Sequence, residues 1–221
     1  MANYTVMKKN MILGQFLPGL IKDEKIINFY NEISRENFLP DSFKALAYSD
    51  LNIRINIKRC LPSPFNSAKI FQEANLQSKE IILLIGANYG YEAAILSKIV
   101  DTVIALEEDK EMKNIAEENI KKNALENIVI INSMHEKGNK KLGPYDTIIS
   151  LDPGIEIKTV LLDQLVDGGK LFFFEKQNYK IQESKLSVFF KVNKKYIKQK
   201  LFDLNMPSFI NNTTNDRFDF S

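Results

Sequence analysis

The chain has 221 residues, of which 44% are hydrophobic and 26% are charged, as is ordinary for a globular protein of one domain. Its net charge of +2 is too small to predict nucleic-acid binding by itself, and no apolar run reaches the ~18 residues of a membrane span. The single cysteine, Cys60, excludes an internal disulfide, and without a cysteine or histidine cluster no metal site is predicted. Because the first ten residues lack the charged-then-apolar order of a secretory signal, a cytoplasmic location is expected.

Short helices interrupted by turns are predicted for the first part of the chain. Apolar residues recur with helical spacing, and Asp41 is expected to be the N-cap of the third helix. Residues 51–58 alternate between apolar and polar side chains, as in a β-hairpin or an extended arm. The predicted helices cover residues 10–17, 23–33, 41–47 and 65–74.

From residue 80 onward, strand-like and helix-like segments alternate regularly, which is typical of a parallel sheet with right-handed crossovers. Gly168-Gly169 is expected to end the last helix of this series. Residues 185–192 and 196–201 follow without a helix between them, so the sheet is predicted to end in an antiparallel hairpin joined by residues 193–195. Strands are predicted near residues 80–85, 102–107, 127–132, 145–150 and 169–175, and helices near 90–99, 109–123 and 156–165.

The most informative segment of the chain runs from Glu80 to Glu107. An apolar run of strand length stops at Gly86, Gly90 opens an amphipathic helix, and a second apolar run ends on Glu107. This layout predicts a βαβ unit for a ribose-bearing cofactor, because glycines let the backbone approach a ligand and the acid accepts hydrogen bonds from ribose hydroxyls. The spacing of the glycines differs from the G-x-G-x-x-G that holds a pyrophosphate, which favours S-adenosylmethionine over a dinucleotide.

Seven segments in chain order carry a resemblance to a known family. They are 35–40 (Arg-Glu-Asn-Phe-Leu-Pro), 47–50 (Ala-Tyr-Ser-Asp), 61–64 (Leu-Pro-Ser-Pro), 82–91, 103–107, 144–149 and 161–171. Together they are similar to protein-L-isoaspartate O-methyltransferases, which are class I S-adenosylmethionine-dependent enzymes. The resemblance covers roughly residues 8–210, and the closing segment 201–207 resembles a shorter bacterial branch of the family.

The resemblance implies a fold and a domain organisation. The fold is α/β: a doubly wound, mostly parallel, seven-stranded sheet (Rossmann-like methyltransferase) with an antiparallel C-terminal hairpin and an N-terminal helical cap. Residues 1–78 are expected to form the cap and an active-site loop within the same domain. Residues 79–210 then form the S-adenosylmethionine-binding core, and residues 211–221 form a polar tail.

The resemblance also implies an activity in protein repair, which is methyl transfer from S-adenosylmethionine to the free carboxylate of an isoaspartyl residue. The resulting ester cyclises to a succinimide, which reopens partly to normal aspartate. Because a sulfonium is a good leaving group and a carboxylate is already a nucleophile, the protein mainly has to align them and exclude water. The expected partners are proteins or peptides that bear isoaspartate, with neither nucleic acid nor membrane, and the oligomeric state is left open.

Cofactor contacts are expected along the loops that follow the first two strands of the core. Gly86 and Gly90 should line the methionine half of S-adenosylmethionine, and Glu107 should hold the ribose hydroxyls. Asp109 is expected to cap the next helix instead. The full expected set of cofactor-binding residues is Gly86, Ala87, Asn88, Gly90, Glu107, Glu108, Ser133 and Met134.

Two of these residues follow the third strand of the core, near the position at which the family binds adenine. Ser133 and Met134 stand where the family usually has Gly-Asp, and a methionine can pack on a purine ring without accepting the hydrogen bond of its amino group. His135, the only histidine, is expected to be an exposed loop residue rather than a base.

Three positions depart from the family's pattern. Leu84 replaces the acid that usually lies two residues before the first glycine, and Asn88 replaces the middle glycine. The loop that presents a hydroxyl to the active site has Pro62 at the usual serine position, so Ser63, one residue out of register, is the candidate catalytic residue. Each lost charge-assisted hydrogen bond lowers cofactor affinity about 10- to 100-fold.

These departures leave alternatives open. The chain is an enzyme with a modified site, methylating a protein carboxylate or a different acceptor, or it is a non-catalytic protein that keeps the methyltransferase fold. Binding of S-adenosylmethionine distinguishes the enzyme hypotheses from the non-catalytic one.

Overall fold

The computed structural model describes residues 3–56, 59–175, 184–204 and 206. Helices and one small hairpin form the first third of the chain, and its two short strands pair antiparallel. These elements are α1 (Tyr4–Met11), a π-helical turn (Ile12–Phe16), α2 (Glu24–Glu32), a 3-10 turn (Arg35–Asn37), α3 (Asp41–Lys44), β1 (Ile53–Arg54), β2 (Cys60–Leu61) and α4 (Pro64–Ala74).

The second part of the chain forms a seven-stranded sheet with its connecting helices. In chain order the elements are β3 (Ile81–Ile85), α5 (Tyr91–Ser97), β4 (Thr102–Glu107), α6 (Lys110–Lys122), β5 (Ile128–Asn132), a 3-10 turn (His135–Lys137), β6 (Tyr145–Ser150), α7 (Thr159–Leu162), β7 (Leu165–Glu175), β8 (Ser184–Val192) and β9 (Lys195–Leu204). The strand order is β5-β4-β3-β6-β7-β8-β9. Strands β3 to β7 pair in parallel, whereas β8 and β9 pair antiparallel, which confirms the predicted doubly wound sheet and its C-terminal hairpin.

Both faces of the central strands of the sheet are buried. Along β3, Ile82 and Leu84 face a cluster that includes residues of α2, α4, α5 and α6, whereas Leu83 and Ile85 face a second cluster that includes residues of α7. Burial on both faces explains why the central strands are nearly continuous runs of apolar residues. Because Tyr30 of α2 belongs to the first cluster, the N-terminal helices share a core with the sheet.

The sheet has one topological switch point. The chain passes from β3 to β4 on one side of β3, and β6 lies on the other side. In such sheets a crevice opens outside the carboxyl ends of the strands at this point, and ligands bind there. The segments that directly follow β3, β4 and β6 therefore meet at this crevice.

Two expectations about the helical cap are corrected. The first helix begins at Tyr4 rather than near residue 10, because the Asn3 side chain accepts a hydrogen bond from the Val6 N–H at 3.1 Å and so caps an earlier start. Asp41 is not the N-cap of α3; it lies in the first turn, and the capping position is Pro40, without a side-chain bond. The alternation of residues 51–58 corresponds to one strand of the β1–β2 hairpin, although residues 57 and 58 lie outside the described part.

Two expectations about the core are also corrected. The predicted helix 156–165 is only the short α7, and Gly168-Gly169 does not end it but lies inside β7. The register between β6 and β7 shifts here, since Tyr145 pairs with Leu165 and Thr147 pairs with Lys170, so the glycines fall in a bulge. None of the helices in the described ranges is long and apolar enough to cross a membrane. The predicted tail 211–221 lies outside the described residues.

Candidate functional site

The loop between β3 and α5 contains three residues with positive φ, which are Gly86 (+88°), Asn88 (+51°) and Gly90 (+91°). A Cβ atom on Gly86 would lie 3.4 Å from the backbone nitrogen of Asp152, and one on Gly90 would lie 3.4 Å from the backbone oxygen of Ala116. These distances are ordinary contacts, so it is the positive φ angle at each position that favours glycine, whatever the loop binds. Asn88 takes the left-handed conformation that its side chain tolerates, and its Nδ2 donates to the Gly86 carbonyl at 3.1 Å.

The carboxylate of Glu107 is fully buried at the carboxyl end of β4. Its Oε2 accepts a hydrogen bond from the backbone N–H of Asn88 at 2.8 Å, and its Oε1 accepts one from the N–H of Asp109 at 3.0 Å. Oε1 also accepts a hydrogen bond from Nη2 of Arg59. The structure therefore places this acid directly against the 86–90 loop. Asp109 caps α6 through the N–H groups of Glu111 and Met112, as expected.

Arg59, which directly precedes β2, brings the small hairpin into the crevice. Its Nη1 lies 3.5 Å from Oδ2 of Asp152, and the same Oδ2 accepts a hydrogen bond from Nδ1 of His135 at 2.7 Å. Each guanidinium Nη lies 3.3 Å from one ring nitrogen of His135. We call these four side chains, Arg59, Glu107, His135 and Asp152, the crevice cluster.

Asp152 is held in its charged form by its neighbours. Burial alone would raise the pKa of the Asp152 carboxyl, but the hydrogen bond and charge of His135 lower it, together with the Gly154 N–H and the charge of Arg59. The net result is a pKa below the usual value for an aspartate. The crevice cluster therefore contains two carboxylates, and Arg59 is the guanidinium that contacts both.

The expectation that His135 is an exposed loop residue is wrong. Only 1% of this residue is exposed, because its ring packs between Arg59 and Asp152, and its backbone N–H donates to Oε1 of Glu108 at 2.6 Å. Before the fold is known, the polar residues around His135 predict a surface loop. Its burial follows from the crevice cluster, which the sequence does not reveal.

The remaining expected cofactor residues surround Glu107. Ala87 is buried, and its N–H donates to the Leu106 carbonyl at 2.9 Å. Glu108 is exposed, Ser133 is half-buried with its N–H 3.3 Å from the Glu107 carbonyl, and Met134 is 59% exposed. The structure thus brings these residues to one rim of the crevice, while their roles as cofactor ligands stay predictions.

Ser63 has a structural role in α4. Its hydroxyl accepts a hydrogen bond from the Asn66 N–H at 3.2 Å as the N-cap of the helix, and the residue is 1% exposed. The neighbouring Pro62 carbonyl accepts a hydrogen bond from Nη2 of Arg35 at 2.7 Å. These contacts fix the loop before α4, and a catalytic role for Ser63 stays a prediction.

Two residues of the crevice cluster, Arg59 and Asp152, were not predicted from the sequence. Asp152 follows β6 almost directly, and an acid at the carboxyl end of a parallel strand is a signal that could have identified it. Arg59 carries no comparable signal, since it lies in a hairpin 48 residues before Glu107. Within the described ranges, no group of three histidine, cysteine or acidic residues could hold a metal ion.

Comparison with known proteins identifies the family. A family model described as "Protein-L-isoaspartate(D-aspartate) O-methyltransferase (PCMT)" matches residues 7–211. The chain belongs to this family. The protein-L-isoaspartate O-methyltransferase 1 of Syntrophobacter fumaroxidans is 28% identical over 171 residues, which cover 77% of this chain and 80% of that protein. The protein-L-isoaspartate O-methyltransferase of Photobacterium profundum is 30% identical over 151 residues, which cover 68% and 72% of the two chains.

A solved structure supports the fold independently. The Plasmodium falciparum protein of the same methyltransferase type, crystallised in complex with S-adenosyl-L-homocysteine, aligns with a TM-score of 0.77 at 24% sequence identity. The alignment covers 96% of this chain and 100% of that chain. The two proteins therefore share the Rossmann-like methyltransferase fold that the sequence predicted, and the family is one of S-adenosylmethionine-dependent enzymes.

The residues of the crevice fit a ribose-bearing cofactor at two points. A carboxylate offers about four lone-pair positions, and the described residues leave one of those of Glu107 open, on Oε2. Oδ1 of Asn88 is buried without a hydrogen-bond partner in the part of the chain that the structure describes, so it is available to a donor of a ligand. One contact opposes binding, because Arg59 takes a lone pair on Oε1.

Proposed function

We propose that this protein transfers the methyl group of S-adenosylmethionine to the free carboxylate of isoaspartyl residues in proteins or peptides. The observation that carries the proposal is the buried Glu107 carboxylate, which is bound by the Asn88 N–H at the switch point of the sheet. Membership of the family supports the reaction, and the buried carboxylate at the crevice supports a cofactor site there.

The chain's residues have distinct roles in binding. Glu107 accepts hydrogen bonds from the ribose, and the backbone of the 86–90 loop lies along the methionine half, with Ala87 and Asn88 between the two glycines. Glu108, Ser133 and Met134 border the adenine. When bound, S-adenosylmethionine supplies a methyl group on a positively charged sulfur, which leaves readily. The protein's contribution is therefore to orient the reactants and to exclude water.

The acceptor requires little activation. A carboxylate is ionised at neutral pH, so no general base is needed to make it a nucleophile. The side-chain hydroxyl of Ser63 is engaged as a helix cap, and Arg35 holds the adjacent Pro62 carbonyl. In this proposal the loop 62–64 contributes mainly by fixing where the acceptor carboxylate lies.

Calorimetry and a paired substrate assay test the proposal. Titration with S-adenosylmethionine and S-adenosylhomocysteine should show binding, and labelled methyl groups should enter an isoaspartyl peptide but not its aspartyl twin. Binding without methylation of either peptide would point to another acceptor. The absence of binding and of a thermal shift at millimolar ligand would refute the enzyme proposal.

A non-catalytic protein with this fold is the second candidate. The contact that favours it is the ion pair between Arg59 and Glu107, which competes with the ribose for the same carboxylate. The same calorimetric titration decides between the two candidates.

A cytoplasmic location also belongs to the proposal, supported by a single cysteine that is buried as a free thiol, and subcellular fractionation would test it.

A further inference from the structure

We propose that Arg59 is a positioning residue that guards the ribose site: it holds Glu107 when no cofactor is bound, and it must pass to Asp152 before Glu107 can bind both ribose hydroxyls. The inference rests on the proposed function, because it takes the ligand of Glu107 to be a ribose diol. It assigns to this chain a competition between an internal ion pair and the cofactor.

The capacity of the Glu107 carboxylate to accept hydrogen bonds is limited. A carboxylate has about four lone-pair positions, two on each oxygen. The Asn88 N–H occupies one position on Oε2. The Asp109 N–H and the Arg59 guanidinium occupy the two positions on Oε1. Among the residues that the structure describes, these donors leave one position open, whereas a diol donates two hydrogen bonds. One of the three donors must therefore leave when both hydroxyls bind.

Arg59 is the donor that can leave. The Asn88 N–H belongs to the loop whose positive φ angles fix its path, and the Asp109 N–H belongs to the N-cap of α6. Neither backbone group can turn away without deforming an element of the fold. The Arg59 side chain has rotatable bonds, is 10% exposed at the crevice, and has a second carboxylate 3.5 Å from its Nη1 in Asp152.

Asp152 is prepared to receive the guanidinium. Its Oδ2 already faces Arg59 and accepts a hydrogen bond from His135 at 2.7 Å, so an approach of Arg59 requires no new buried charge. A guanidinium presents a fork of donors, which allows it to exchange one carboxylate for the other without a step in which it is unpaired.

The exchange also connects the cofactor site with the loop 62–64, which in the proposed function fixes where the acceptor carboxylate lies. The Arg59 carbonyl accepts the Ile55 N–H at 3.0 Å within the small hairpin, and the chain continues from Arg59 through β2 to Pro62 and Ser63. Arg59 therefore lies in the segment that leads into the loop 62–64.

The test is the affinity of S-adenosylhomocysteine, measured by calorimetry on wild type, Arg59→Gln and Arg59→Lys. Arg59→Gln removes the competing charge, so its affinity should be about 10-fold higher or more, in line with one charge-assisted hydrogen bond. Arg59→Lys keeps a cation near Glu107 and should return the affinity toward wild type. Arg54→Gln is the matched control, because Arg54 lies exposed in the same hairpin and its affinity should equal that of wild type.

If the role of Arg59 is merely structural, Arg59→Gln should lower the affinity for S-adenosylhomocysteine, since loss of a buried ion pair would loosen the site. If wild type binds S-adenosylhomocysteine and a folded Arg59→Gln binds it equally or more weakly, this inference is overturned and the proposed function stays intact. If neither protein binds S-adenosylhomocysteine at millimolar concentration, both the proposed function and this inference are wrong.

A crystal of the wild-type protein with S-adenosylhomocysteine tests the same exchange without depending on the stability of a variant. The inference expects both ribose hydroxyls on Glu107 and the guanidinium of Arg59 on Asp152. The exchange would be refuted by a structure in which Arg59 still donates to Glu107, whether the ribose hydroxyls bind Glu107 beside Arg59 or bind another group.

Discussion

Replacing Arg35 by methionine tests how the loop 62–64 is held. Arg35 is fully buried; its Nη1 donates to the Ala47 carbonyl at 3.1 Å, and its Nη2 donates to the Pro62 carbonyl at 2.7 Å. Nη2 also lies 3.9 Å from Oε1 of Glu92, which is 1% exposed. Methionine keeps an apolar stem of similar length but removes the charge and both donors.

The expected loss of stability is large because the change leaves a buried carboxylate alone. Burial raises the pKa of Glu92, and the Arg35 charge is the main influence that lowers it. Removing one partner of a buried ion pair costs about 3–5 kcal/mol. This is a large fraction of the ~5–15 kcal/mol by which a domain is usually stable.

Urea unfolding measures this loss, and two further proteins separate its causes. Arg54→Met changes an exposed arginine whose Nε donates to the Asn56 carbonyl at 3.2 Å, and it should lower the free energy of unfolding by no more than about 1 kcal/mol. The double variant Arg35→Met with Glu92→Gln removes both charges, so it should regain part of the stability that Arg35→Met loses.

The pH dependence follows from the sign of the Glu92 shift. The pKa of Glu92 in the folded protein is raised above the ordinary value of 4.5, and without Arg35 it rises further. The folded variant then binds the proton more tightly than the unfolded chain, so the part of the loss that comes from the Glu92 charge is fully present above the raised pKa and is relieved as the pH falls through it. The part that comes from the two lost hydrogen bonds does not change with pH. A loss under about 1 kcal/mol, a loss that is equal at pH 5 and pH 8, or a double variant no more stable than the single one would refute this reasoning.

Three further predictions concern the crevice and the only cysteine. Glu107→Gln should weaken S-adenosylhomocysteine binding about 10- to 100-fold in calorimetry, since the neutral amide replaces a charged acceptor; unchanged affinity would remove Glu107 from the site. Gly86→Val should lower the melting temperature and abolish binding, because φ is +88° and a Cβ atom would lie 3.4 Å from the Asp152 nitrogen; a variant with wild-type melting and affinity would contradict this. Burial raises the pKa of Cys60 to about 12, so its thiol should react with an aromatic disulfide reagent at pH 8 only after unfolding. Rapid labelling of the native protein would show that Cys60 is accessible.

Much of the core was predictable because its determinants are local. Strands β3 and β4 are nearly continuous apolar runs bounded by glycine or charged residues, and β6 contains the apolar pair Ile148-Ile149. The observed limits of all three strands agree with the predicted ones within a residue. The β8–β9 turn has positive φ at Asn193 and Lys194, which suits the two-residue hairpin that closes the sheet. The glycines of the β7 bulge were misassigned because a glycine pair marks a helix end and a bulge equally well.

The sequence by itself determined the order of strands and helices, the family, and the place of Glu107 at the end of a strand, because apolar periodicity and short motifs act over a few residues. Only the tertiary structure decided what surrounds that acid. Arg59 meets Glu107 across 48 residues of chain, and His135 meets Asp152 across 17. Such pairs form because separate loops converge at one edge of the sheet, and no local pattern records which charged side chains will be neighbours there.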